Sequence, residues 1–284
     1  MAAKARSSPI RNAYVLTGGS RGLGKALCSE LLSHDHEGAV LLTSRSSSTA
    51  ASVAASLNEE HPGRVFSCEC DTSIYRDVAH LASFAHDCFG TELHSETWLL
   101  NSGSNGFEVK PLTDCSPNTL KDIANTNVLG TLYCAHAAAT RLQQLRSGRL
   151  IFVEGAGSDG SSSRLLASYG FSKAGVRQLR NSLDAELSGY GISVHTLNPG
   201  LVNTDLLASG AGAFGKLGTA FLNLAAEEPT TAARVLAPQL VNLSPRRKRI
   251  SALQPEKIAL RAVRRLIDER TSKDRFFIEE TDSI

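Results

Sequence analysis

The sequence lacks any apolar run near the roughly 18 residues that a membrane-spanning helix requires, so its pattern offers no transmembrane segment. It also lacks a charge excess. Lys and Arg number 30 against 28 Asp and Glu, a formal net charge of +2, which leaves no global field to draw the chain to nucleic acid. Its six cysteines are scattered: Cys68 and Cys70 form C-x-C, but no C-x-x-C pair exists. Neither a zinc pattern nor a disulfide framework is legible, and a reducing compartment is the simpler inference. There is no internal repeat and no domain linker. The serine-rich "SRSSSTAAS" and "SDGSSS" stretches fall where strand-to-helix loops are expected. The opening "MAAKARSSPIRN" carries no acidic residue. Residues 1–11 read as a disordered leader, too short for a convincing transit segment.

What remains, 284 residues with 42% apolar and 20% charged, suits one large α/β domain. Buried strands are expected at 13–16, 39–44, 64–70, 97–103, 148–155 and 191–200, with helices near 24–34, 49–59, 74–89, 116–144 and 168–189. Continuous apolar strands separated by helices imply a doubly wound parallel sheet with helices on both faces and ligands at the carboxyl ends of the strands. This domain is expected over 12–243, with an apolar substrate flap at 206–224. Residues 244–284 read as a basic helical extension packed on or near it. The helix at 255–270 gathers Ala259, Ala262, Val263, Leu266 and Ile267 on one face, with Arg261, Arg264 and Arg265 largely off it. Such a helix either packs on the sheet or touches an anionic membrane surface peripherally. "DRFFIEE" is the strand-like piece of this tail.

"YVLTGGSRGLGKAL" sets Gly18, Gly22 and Gly24 between a strand and a helix. Glycines there let the backbone approach a pyrophosphate, and the helix N-terminus supplies free N–H donors. The second strand ends "LLTSRSSS", without the acid that would hold the ribose hydroxyls of NAD,. Arg45, with Arg21 in the glycine loop, suits a 2′-phosphate, so NADPH is expected over NADH. Tyr169 and Lys173 stand four apart on a helix and share a face,. A nearby ammonium is expected to lower the tyrosine pKa from about 10 and make it a usable proton donor to a carbonyl.

Taken together these motifs resemble the short-chain dehydrogenase/reductase family. They are "TGGSRGLG" (17–24), Asp71 in "CDTS", "NSG" (101–103), Asn127 in "NTNVLG", "YGFSK" and "PGLVNT" (199–204). The resemblance covers roughly 12 to 205 and implies a Rossmann-type fold, NADPH/NADP+ and a homo-oligomer built on the helices at 116–144 and 168–189. By position it makes Tyr169 the general acid, Lys173 its partner and a holder of the nicotinamide ribose, and Asn127 the anchor of a relay water. Thr17, Gly18, Ser20, Arg21, Gly22, Leu23, Gly24, Arg45, Asp71, Asn101, Ser102, Gly103, Lys173, Pro199, Gly200, Val202 and Thr204 form the implied cofactor set. One departure matters. The family's serine lies about thirteen positions before the tyrosine, where this chain has Ala156. Ser158 is the nearest substitute, with Ser161, Ser162 and Ser163 further along.

Within the family, "EGAGSDG", "NPGLVNTDLLASGA" and "FLNLAAEEPTTAARVLAPQL" resemble the chlorophyll b reductase branch. That resemblance implies a small lipophilic pigment as substrate and reduction of its C7 formyl group, in the chloroplast. A reductase of another bulky carbonyl, pterin- or steroid-like, and a non-catalytic NADP-binding scaffold are the alternatives. No metal site is expected.

Overall fold

The computed structural model describes residues 10–106, 108–208, 213, 215–253, 256 and 258–260. Seven strands form its sheet: β1 (Asn12–Leu16), β2 (Gly38–Ser44), β3 (Val65–Glu69), β4 (Ser95–Leu100), β5 (Gly148–Val153), β6 (Ile192–Asn198) and β7 (Arg249–Ser251). The helices are α1 (Gly22–His34), α2 (Ser47–Glu60), α3 (Tyr75–Phe89), α4 (Pro117–Ile123), α5 (Gly130–Leu145), α6 (Ala167–Leu187), α7 (Asp205–Ala208), α8 (Gly215–Ala225) and α9 (Pro229–Val241). The strand order is β3-β2-β1-β4-β5-β6-β7, and every pairing is parallel.

Both faces of the sheet are covered, which is why β2 and β6 are buried at every position but the last rather than at alternate ones,. On one face α1, α2 and α9 close over Leu16, Leu42 and Leu197. On the other, α3, α5 and α6 close over Val15, Trp98 and Phe152. A buried ion pair fixes the second layer: Arg141 of α5 meets Glu96 of β4, Nη2 to Oε2 at 2.5 Å, and the Trp98 indole donates to the same carboxylate at 2.7 Å.

Strand order reverses between β1 and β4, so their carboxyl ends diverge and leave a crevice,. Asn101 and Thr17 brace its floor. Asn101 Nδ2 donates to the carbonyls of Thr17 and Gly18, while Thr17 Oγ1 accepts from the Asn101 and Ser102 amides at 3.0 Å.

Three differences from the sequence reading bear on function. The helix expected over 116–144 is two helices joined by a π-helical turn, Ala124–Leu129. The seventh strand comes from the stretch assigned to a helical extension. Arg249–Ser251 pairs with Thr196–Asn198, and two of the basic residues there form ion pairs, Lys248 with Asp184 and Arg249 with Glu154. Ile10, placed in the leader, packs into the core. Residues 1–9, most of the helix at 255–270 and "DRFFIEE" lie outside the described residues.

Candidate active site

The crevice opens into a cavity of about 1430 Å³ lined from the glycine loop to α8. At its floor the chain turns from β1 into α1. Gly24 is required by close approach: a Cβ there would overlap the Gly18 carbonyl oxygen. The first N–H groups of α1 have no intrahelical acceptor and sit at the positive end of the helix, so this cradle fits a pyrophosphate. Gly18, Ser20, Arg21, Gly22, Leu23 and Gly24 all line the cavity.

At the adenosine end the lining is Thr43, Ser44, Arg45, Ser46 and Thr49, without a carboxylate. Ser46 caps α2 by accepting from the Thr49 amide. Arg21 reaches across the crevice to Asp205, Nη1 to Oδ2 at 3.2 Å. Asp71 does not face the cavity, although its neighbours Cys70 and Thr72 do. Its Oδ1 instead accepts from the Ser73 amide and hydroxyl at 2.9 and 2.7 Å, shaping the entry to α3.

Tyr169 and Lys173, one turn apart at the start of α6, both face the cavity, as do Asn101, Ser102, Gly103, Pro199, Gly200, Val202 and Thr204. Lys173 Nζ donates to the Val153 carbonyl at 3.0 Å and lies 5.9 Å from the centre of the Tyr169 ring. Burial pushes the Tyr169 hydroxyl up to about 12 and the Lys173 ammonium down to about 8. The ammonium was expected to lower the tyrosine; instead desolvation alone moves it, and upward,. The consequence suits reduction, because Tyr169 stays protonated and ready to donate.

Asn127 sits in the π turn, a geometry that often marks functional helices. Its Oδ1 accepts from the Ser104 amide at 2.8 Å, and its Nδ2 donates to the Ser104 carbonyl and the Ser172 hydroxyl. It does not line the cavity. Gly103 lies between it and Lys173, so Asn127 holds the loop after β4 against α6.

Ser158 is placed otherwise than expected. It is buried, its backbone N–H donates to the Gly155 carbonyl, and its Oγ accepts from the Gly155 amide at 2.9 Å. The hydroxyl therefore closes its own loop and is absent from the cavity lining, where Ser161, Ser162 and Ser163 appear. Gly155 has a clear purpose, since a Cβ there would overlap the Tyr169 hydroxyl. Ser163 packs against Gly170, its Oγ 3.0 Å from where a Cβ on that glycine would stand.

Sequence reasoning missed two groups. Asn105 lines the cavity and donates to the Leu206 carbonyl at 2.8 Å, tying the loop after β4 to α7; the "NSGSNG" stretch was its signal. Glu154 also lines the cavity and binds Arg249 of β7, a pairing no local pattern announces. Among the described residues there is no cluster of metal-ligating side chains, and no helix is long and apolar enough to cross a membrane.

Comparison with known proteins places this geometry. The model of the short chain dehydrogenase family matches residues 12–211. The chain is 35% identical over 230 residues to the chloroplastic chlorophyll(ide) b reductase NOL of Arabidopsis thaliana, covering 80% of this chain and 64% of that one. It is 35% identical to the probable chloroplastic chlorophyll(ide) b reductase NYC1 of Oryza sativa subsp. japonica, covering 94% of this chain and 54% of that one. It thus spans less than two thirds of either relative's length. A 7α-hydroxysteroid dehydrogenase solved with NADH and 7-oxo glycochenodeoxycholic acid superposes with a TM-score of 0.71 at 18% identity, over 86% of this chain and 93% of that one. With its parallel sheet, glycine cradle and Tyr169–Lys173 pair, the chain belongs to the short-chain dehydrogenase family.

Proposed function

We propose that this chain reduces the C7 formyl group of chlorophyll b or chlorophyllide b to a 7-hydroxymethyl group, with NADPH as reductant. The observation that carries this reading is the continuity of the cavity. It runs from the phosphate cradle past Tyr169 into a chamber walled by Val109, Leu165, Leu206, Leu207, Phe221 and Leu222. A pocket for one drug-sized ligand spans about 300–1,000 Å³. The volume of about 1430 Å³ leaves room for a flat apolar ring system beside a dinucleotide. The relatives' names support the same substrate, and their chloroplastic location supports the same compartment.

Bound NADPH supplies the hydride. The chain's residues do the rest. The α1 N-terminus would hold the pyrophosphate, and Arg45 and Ser46 would meet the 2′-phosphate. Tyr169 gives its proton to the carbonyl oxygen as negative charge develops there. Lys173, held by the Val153 carbonyl, stabilises the resulting phenolate. The apolar wall excludes water from the reacting carbon.

Incubation of chlorophyllide b with NADPH and the purified protein tests this reading. The 7-hydroxymethyl pigment is expected, with NADPH preferred over NADH. Tyr169→Phe should lose turnover while keeping NADPH binding. Absence of this product from the wild type, with turnover of other bulky carbonyls, overturns the pigment assignment. Absence of any carbonyl turnover favours a scaffold.

A further inference from the structure

The charged groups that line the cavity are nearly all engaged. Arg21 pairs with Asp205, Glu154 with Arg249, and Lys173 donates to Val153. Asp122 accepts from the Ser104 hydroxyl at 2.6 Å, and Arg45, unpaired among the described residues, follows β2 on the side where the cofactor cradle lies. Arg164 is different. It lines the cavity on the loop that leads into α6, and no hydrogen bond or ion pair within the described residues engages its guanidinium.

The backbone that carries Arg164 is held firmly. The Leu166 amide donates to the Ser163 carbonyl at 3.0 Å, closing a four-residue turn with Arg164 and Leu165 at its centre. Leu165 adopts φ +66°, the left-handed region where such a turn normally uses glycine. A leucine keeps that conformation when its surroundings over-determine it. The Lys110 amide donates to the Leu165 carbonyl at 3.0 Å, pinning the turn to the loop after β4. Leu165 itself lines the apolar chamber. The turn thus presents an apolar side chain and a free cation to one ligand.

We propose that Arg164 selects a substrate carrying a free carboxylate on a bulky apolar body. Resting on the function proposed above, this means the phytol-less pigment, chlorophyllide b, whose propionate is free, over chlorophyll b, where it is esterified. Guanidinium pairs with carboxylate through two parallel N–H···O bonds, and an ester offers no charge to meet them. Arg164 is exposed and keeps part of its hydration, so the preference is set at roughly five- to tenfold in KM.

Steady-state kinetics with chlorophyllide b and its C17 methyl ester test this, using the wild type, Arg164→Gln and Arg164→Lys. The wild type should show the lower KM for the acid. The acid-to-ester ratio should collapse toward one in Arg164→Gln and persist in part in Arg164→Lys, with kcat for the two substrates tracking together. If Arg164→Gln fails to fold, the wild-type ratio should still shrink as ionic strength rises. A wild type without acid preference, a preference indifferent to salt, or one retained in Arg164→Gln overturns the proposal. A bulky aldehyde pair, 6-formyl-2-naphthoic acid and its methyl ester, separates the two readings. An Arg164-dependent acid preference there, with no pigment reduced, defeats the pigment assignment and upholds the carboxylate site. Pigment reduction without discrimination does the reverse.

Discussion

Gly155 and Tyr169 show how little room the reacting end leaves. A methyl group at position 155 would overlap the tyrosine hydroxyl, so Gly155→Ala should cut kcat by at least a hundredfold, on the scale of a lost general acid. Its NADPH dissociation constant and far-ultraviolet circular dichroism should stay near wild type. The serines divide in the opposite sense from spacing alone. Ser158→Ala removes a buried hydrogen bond to the Gly155 amide and should cost about 1–3 kcal/mol of stability, read as a lower thermal midpoint. Ser163→Ala should lower kcat by roughly tenfold or more with the midpoint held. The reverse pattern would return Ser158 to the chemistry. Lys173 sets the pH dependence. Burial brings it down to about 8, so it is charged below that pH and neutral above. Since Tyr169 stays protonated up to about 12, kcat/KM for reduction should be flat on the acid side and fall as pH rises through about 8. Tyr169 and Lys173 were legible in the sequence because residues four apart on a helix must share a face. The direction of the Ser158 hydroxyl was not, because a loop side chain follows the hydrogen bonds of its turn rather than its distance from Tyr169.

The elements were legible in proportion to their burial. β2, β4 and β5 are buried along nearly their whole length and end within a few residues of where their apolar runs end. β7 was hidden because three residues in a basic run carry no strand pattern of their own. It pairs with the distant end of β6, and Arg249 ties it further to Glu154, to which it donates at 2.7 Å. Burial raises the Glu154 pKa, but hydrogen bonds from Arg249 and Thr196 and the charges of Arg249 and Arg177 outweigh this and hold it below 4.5. A carboxylate with a depressed native pKa stabilises the fold above its unfolded value and loses that contribution as pH falls. Arg249→Met should therefore lower the thermal midpoint at neutral pH and reduce the loss of stability on acidification below about 4.5. If the mutant and wild type lose stability in parallel on acidification, this pair is not what anchors β7. The π turn was equally invisible, because i+5 pairing changes the helix's hydrogen bonds without changing its apolar periodicity.

At the scale of the molecule, strand order creates the crevice, the α1 N-terminus turns its free N–H groups to it, and the loops after β4, β5 and β6 enclose the chamber. Cofactor choice belongs to this scale, since Arg45 and Arg21 reach the crevice from different elements. Arg45→Ala should reduce the NADPH-over-NADH preference in kcat/KM by roughly tenfold, and an unchanged ratio would remove Arg45 as the selector. The family was readable from spaced motifs, since each glycine or tyrosine has a local reason to be there. The chamber was not, because its walls come from segments as far apart as Val109 and Leu222. Hydride transfer from NADPH to a pigment formyl carbon would leave an isotopic mark on the product. Chlorophyllide b reduced with NADPH deuterated at both C4 positions of the nicotinamide should give a 7-hydroxymethyl product carrying one deuterium on its new methylene. Product without the label, or cofactor oxidised with the pigment unchanged, would contradict it.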